Sequence, residues 1–194
     1  TAVGKVFDQT AAATGASEKT LVQHGIPYMI SYTHSNSHAG YYPDATVMAV
    51  KLIFSPEAGR VLGAQIVGRD GVDKRIDVLA TAIHGKMTVY DLEELELAYA
   101  PPYSSAKDPV NIAGYVAANL LKGDLAEVHW SVIDGLDAQA TVVIDLRTKP
   151  EIKKFGKIDP CIHIPMDQLR NRLPDLDRDK NYLLYCAAGV RGYV

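Results

Sequence analysis

The 194 residues are enough for one large domain or two small ones, each with its own core. A formal net charge of −3, with 22% charged and 47% apolar residues, fits an ordinary globular chain and excludes a polybasic nucleic-acid footprint. No apolar run reaches the roughly 18 to 20 residues that a membrane-spanning helix needs, and two cysteines, Cys161 and Cys186, are too few for a disulfide framework, so a reducing cytoplasm is the expected setting.

The N-terminal stretch TAVGKVFDQT has neither an initiator Met nor the basic and apolar regions of a signal peptide, and reads as the middle of a longer protein. KVFDQTAAAT reads as one strand, followed by a helix that Ser17 caps and that Gly25 and Pro27 end. YMISYTHS alternates as a half-buried strand does, and the turn formers of NSHAGYYPDA follow it. TVMAVKLIFS and RVLGAQIVG, joined by PEAG, predict a hairpin. In DKRIDVLATAIHG the apolar residues Ile76, Leu79, Ala80 and Ile83 have helical spacing. Thr88 is placed to cap a second helical segment, VYDLEELEL, whose acidic face is expected to be solvated. A loop stiffened by prolines, AYAPPYSSAKDP, leads to a small-residue helix, VNIAGYVAANLLKG, ended by Gly123.

Past Lys122-Gly123-Asp124 the pattern changes. A short strand is expected near EVHWSVI, then strands ATVVIDLR, CIHIP and NYLLYC alternating with helices KPEIKKFG and DQLRNRL. β-branched runs alternating with short helices indicate a parallel α/β sheet, whereas the first half reads as an α+β layer with an antiparallel meander. Two domains are therefore expected, 1–122 and 127–194.

Ligands of an α/β sheet bind at the carboxyl ends of its strands, where NYLLY delivers Cys186. Ala187, Ala188, Gly189 and Val190 leave room for a tight loop whose successive amides form an anion-binding nest. With Arg191 they favour the thiolate, so a lowered thiol pKa and a group carried as an anion, sulfane sulfur or phosphate, are expected. His34 and His38 are spaced for a shared metal only on a helix; in this loop-rich context, with no third ligand, no metal is expected.

VVIDLR, IHIPMDQLRNRL and YLLYCAAGVRGY, in that order, resemble a rhodanese (sulfurtransferase) domain from about Glu127 to Val194. The resemblance implies that Cys186 carries a persulfide, that the amides of Ala187 to Val190 cradle it, and that Arg191 closes the loop. Asp145 and Arg147 match the family's Asp-x-Arg pair, read as support beneath the site. Cys161 stands where the family usually has Gly or Ala and is read as a small buried filler. The Cys-x4-Arg loop has the shorter, sulfur-transfer form rather than that of the related phosphatases. A helix and a last strand that the family places after the loop are missing, so an incomplete rhodanese unit is expected.

The stretch from GAQIVGRDG to YVAANLL resembles the C-terminal interface domain of FAD-dependent pyridine nucleotide-disulfide oxidoreductases, and within them the coenzyme A-disulfide reductase and NADH oxidase branch, including members fused to a rhodanese. This implies a flavoprotein parent that uses FAD and NAD(P)H, bound mainly by upstream domains, with coenzyme A as substrate or ligand. No G-x-G-x-x-G occurs here. Ala100 stands near the place where glutathione reductase-like members carry a catalytic His. The resemblance instead assigns a tyrosine beside the substrate sulfur to Tyr103 and another to Tyr42, with Tyr41 as the alternative. It also implies a homodimer through the first domain. The segment from Asp73 to Leu121 carries more apolar surface than three predicted strands can cover, and Ala113, Gly114, Ala117 and Ala118 would allow close helix approach at the seam. The function expected is that of the C-terminal part of a coenzyme A-disulfide or persulfide reductase with a rhodanese module. The alternative is a non-catalytic dimerisation module whose rhodanese domain regulates or binds partners.

Overall fold

In the computed structural model, which describes residues 1–194, the N-terminal run folds back on itself. What reads as one strand is a hairpin, β1 (Ala2–Val6) and β2 (Gln9–Gly15), with Val6 paired to Gln9. The reversal falls at Phe7-Asp8, where Phe7 has φ 53°. Alternation of period two continues through so short a turn, so the pattern alone does not reveal the break. Ser17 caps α1 (Glu18–Gln23) by accepting from the Thr20 amide at 3.2 Å.

β3 (Met29–Asn36), β4 (Val47–Phe54) and β5 (Val61–Gly68) complete an antiparallel sheet of order β1-β2-β5-β4-β3. The sheet thus has five strands rather than three: β2 and β5 lie against α2 (Val72–His84), β3 and β4 lie against α4 (Pro109–Lys122), on which α3 (Val89–Glu94) packs, and β1 is exposed throughout. Leu52, Phe54 and Ile66 from the sheet meet Ile76, Leu79, Leu92, Val110 and Ala117 from the helices in one buried core.

α3 stops at Glu94, short of its predicted end. The Asn111 side-chain amide donates to the carbonyls of Leu92 at 2.9 Å and Leu95 at 3.0 Å, which satisfies the helix end from α4. Ala113, Gly114, Ala117 and Ala118 do not form an outward seam; all four are buried within the unit. A Cβ at Gly114 would lie 2.9 Å from the Leu92 Cβ and 3.0 Å from the Val89 carbonyl oxygen, so close approach is spent on α3.

The chain divides into two compact units, Thr1–Ala126 and Glu127–Val194. In the second, the strand expected near EVHWSVI is a 3-10 turn, Trp130–Gly135. Asp134 and Gly135 interrupt the run, Trp130 is exposed, and no strand pairs with it. β6 (Thr141–Asp145), α5 (Lys149–Phe155), β7 (Ile162–His163), α6 (Met166–Arg172), β8 (Asn181–Tyr185) and α7 (Val190–Tyr193) follow. The strands form a parallel sheet of order β7-β6-β8 around Ile144, Leu146 and Ile164. No helix is long and apolar enough to cross a membrane.

Candidate functional site

β8 ends at Tyr185 and places half-buried Cys186 at the carboxyl end of the parallel sheet. The turn into α7 runs through Gly189, whose φ of 87° suits a residue without Cβ. Burial pushes the Cys186 thiol up, but the amides of Ala188, Arg191, Gly192 and Gly189 outweigh it, and the net pKa lies below that of an ordinary thiol. The donors thus extend from the loop into the first turn of α7.

Arg191 does not stand alone at the loop. Its Nη1 and Nη2 donate to the two carboxylate oxygens of Glu151 at 2.9 and 2.6 Å. Glu151 also accepts from the Thr148 amide at 2.8 Å and hydroxyl at 2.7 Å, completing a capping box at the start of α5. Arg191 first, and Thr148 after it, hold this carboxyl well below the usual carboxylate range. The loop is therefore tied to α5 through a carboxylate that the sequence reading passed over. Thr148-x-x-Glu151 carried the signal, since that spacing is the capping-box pattern.

Asp145 and Arg147, at and just past the carboxyl end of β6, are buried and bonded to each other at 2.7 Å. Tyr185 donates to the Asp145 carboxylate at 2.6 Å, and Arg147 donates to the Gly156 carbonyl at 2.7 Å. Burial pushes Asp145 up, but hydrogen bonds from the Arg147 side chain, Tyr185 and the Arg147 amide bring it down to about 2. Burial, with the bond to Asp145, pushes the Tyr185 phenol up to about 12. Cys161 is half-buried rather than fully buried, with its Sγ 3.8 Å from the Tyr185 hydroxyl, because β7 is an edge strand.

In the first unit, two loops carry the candidate tyrosines. Tyr103 is 73% exposed, Tyr41 78% and Tyr42 43%, so all three residues lie at the surface. The Ala39 amide donates to the Ser104 carbonyl at 3.0 Å, which joins the two loops directly. Tyr41 and Tyr99 share a hydroxyl–hydroxyl bond of 3.1 Å, and this bond raises the Tyr41 pKa. The Tyr42 ring meets His38 edge-on at 5.9 Å. His38 is buried, its Nε2 donating to the Pro43 carbonyl at 2.9 Å, whereas His34 is exposed on β3. The two histidines are therefore not convergent, and no group of three His, Cys, Asp or Glu residues is placed to hold a metal ion.

Fold and site define a two-module protein: an antiparallel sheet-and-helix unit followed by an α/β unit that presents a thiolate-stabilising loop. Residues 1–109 match the family described as pyridine nucleotide-disulphide oxidoreductase, dimerisation domain, and residues 130–194 match the rhodanese-like domain. The chain belongs to the pyridine nucleotide-disulphide oxidoreductase family. A coenzyme A disulfide reductase of Staphylococcus haemolyticus is 42% identical over 120 residues, 62% of this chain and 27% of that protein. The crystal structure of reduced CoADR-RHD from Bacillus anthracis superposes on 99% of this chain and 34% of its own, with TM-score 0.95 and 51% identity. An NAD-dependent persulfide reductase from A. fulgidus covers the same shares with TM-score 0.87 and 40% identity. The chain thus spans about a third or less of the proteins that it resembles.

Proposed function

We propose that this chain is the C-terminal part of a flavin-dependent, NAD(P)H-driven reductase of coenzyme A disulfide or persulfide. In this reading the first unit (the domain assigned to 1–122) makes the homodimer, and the second, from 127 on, passes sulfane sulfur. The names of the relatives support the substrate class, and the lowered Cys186 thiol in its amide cradle carries the reading for the second unit.

The chemistry follows from the cradle. The Cys186 thiolate attacks the outer sulfur of a persulfide donor, whose S–S bond breaks and releases the donor as a thiolate. The new S–S bond leaves Cys186 as a persulfide, with negative charge on the terminal sulfur that the loop amides are arranged to hold. An acceptor thiolate then takes that sulfur and restores the Cys186 thiolate. Arg191, fixed by Glu151, holds the loop in shape. In the first unit Tyr103, with Tyr42 or Tyr41, would donate a hydrogen bond to the thiolate that leaves coenzyme A disulfide, a role filled elsewhere by His.

The residues present do not fit FAD or NAD(P)H. The first unit's sheet is entirely antiparallel, and the loop that follows β8 is the cysteine loop rather than a glycine-rich pyrophosphate turn. Those groups are assigned to other parts of the full-length protein. The test is NADH oxidation by that protein with coenzyme A persulfide or polysulfide as acceptor. Cys186→Ser is expected to abolish the turnover that draws on the second unit; an unchanged rate in this variant would refute sulfur relay through the loop.

A further inference from the structure

Arg75 is 1% exposed on a helix face that otherwise carries Val72, Ile76, Leu79 and Ala82. Burying a guanidinium there carries a heavy desolvation cost unless its donors are matched. They are matched by three separate segments of the first unit. Nε donates to both Asp108 carboxylate oxygens at 3.3 and 3.1 Å, and Nη2 to one of them at 2.9 Å. Nη2 also donates to the Ser37 carbonyl at 2.8 Å, with the Tyr103 carbonyl and the Ser104 hydroxyl at 3.4 Å. Nη1 donates to the Gly71 carbonyl at 3.2 Å. A Cβ at Gly71 would come within 2.1 Å of Nη1, so the glycine clears the space that the guanidinium fills.

Asp108 is the second half of the arrangement. Burial pushes its carboxyl up, but Arg75, the Ser104 hydroxyl and the Val110 amide outweigh that and hold it below the usual range. The same carboxylate caps α4 and accepts from Ser104 at 2.7 Å. One guanidinium thus bonds the segment entering the Tyr41-Tyr42 loop, the carbonyl of Tyr103 itself, and the carboxylate that anchors the far end of the Tyr103 loop.

We propose that Arg75, held by Asp108, is a positioning residue that locks the two tyrosine-bearing loops into one unit and thereby fixes where the phenols stand. Its consequence for chemistry rests on the reading of Tyr103 and Tyr42 given above. Covalently the loops are far apart, with 60 residues between Tyr42 and Tyr103. The Ala39–Ser104 backbone bond joins the loops at one point, whereas the buried Arg75–Asp108 pair bonds to both of them at several.

The experiment uses the full-length protein with Arg75→Lys, and with the paired change Arg75→Gln plus Asp108→Asn, which leaves no isolated buried charge and keeps a capping side chain. Hydrogen exchange reads the lock. The amides of Ala39 and Tyr42 and those of Tyr103 and Ser104 are expected to exchange at least about tenfold faster together, with β4 and β5 amides unchanged. Acceleration in one loop alone, no acceleration, or a uniform rise that includes β4 and β5 would overturn it. Turnover of coenzyme A disulfide reads the consequence. Tyr103→Phe is expected to lower kcat by at least about tenfold in the parent background, and by less than about twofold in the paired variant. Equal losses in both backgrounds would overturn the positioning role. A Tyr103→Phe change that costs nothing in either background would instead remove the tyrosine reading, while the exchange result still judges the lock.

Discussion

At Cys186 two opposed influences meet, and the geometry decides between them. Burial alone would make the thiol a poor nucleophile, yet four amides from Ala188 to Gly192 bring its pKa below the ordinary value. Alkylation of Cys186 by iodoacetamide, followed by mass spectrometry across pH, is therefore expected to reach half its maximal rate below the pH of about 8.5 typical of a free thiol. A midpoint at or above that value would show that the cradle does not stabilise the thiolate. Asp145 gives a second residue-level prediction. Its folded carboxyl titrates near 2, below the ordinary 3.8, so the folded form is favoured by ionisation of this group. That contribution is fully present above about pH 5 and is lost as the pH falls through about 2; a shift of nearly two units corresponds to about 2 kcal/mol. Urea unfolding of the second unit, monitored between pH 5 and pH 2, should show this loss, and Asp145→Asn should flatten it.

At the scale of elements, the contact between α3 and α4 is the most demanding. Gly114→Ala would push a methyl to 2.9 Å from the Leu92 Cβ and 3.0 Å from the Val89 carbonyl, and neither backbone can withdraw without moving the helix. Overpacking of this kind costs about 1–3 kcal/mol, and urea unfolding should show a lowered midpoint with little change in slope. An unchanged midpoint would mean that the two helices part freely. The caps of α1 and α3 were legible in the sequence, because Ser17 and Thr88 stand immediately before their periodic runs. So was the succession of an antiparallel unit and a parallel one, since alternation gives way to β-branched runs after Gly123. The β1–β2 turn and the 3-10 segment at Trp130 were not legible, for a common reason. Apolar residues at those places have no fixed partner, and a local pattern reports burial only where tertiary packing supplies it. The site divides along similar lines. Cys186 announces itself by its loop, but Arg75 acts through Asp108, 33 residues away, and no local pattern links the two. A charge on the stripe formed by Val72, Ile76 and Leu79 was the available clue, and its meaning lies in the partner.

For the whole molecule the main question is what covers the first unit. The small residues that the sequence offered as a dimer seam are occupied within the unit, so they do not supply apolar surface for a partner. Apolar surface is exposed on the tip of the first hairpin, where Phe7 is 95% exposed, and on strand positions such as Val47 and Val67. Val67 pairs with Ala11 on one side and Ala49 on the other, so small and apolar residues fill the middle of that row, which ends at exposed His34 on β3. A face of this kind, on a unit matching a dimerisation domain over residues 1–109, favours association of two copies by the same patch. The chain is expected to sediment at equilibrium with the mass of a homodimer at micromolar concentration. Residues 1–126 alone should do the same, because the matched segment lies wholly within the first unit. A monomer mass for the full chain would place dimerisation outside these residues; a dimer that dissociates when residues 127–194 are removed would place it in the second unit instead.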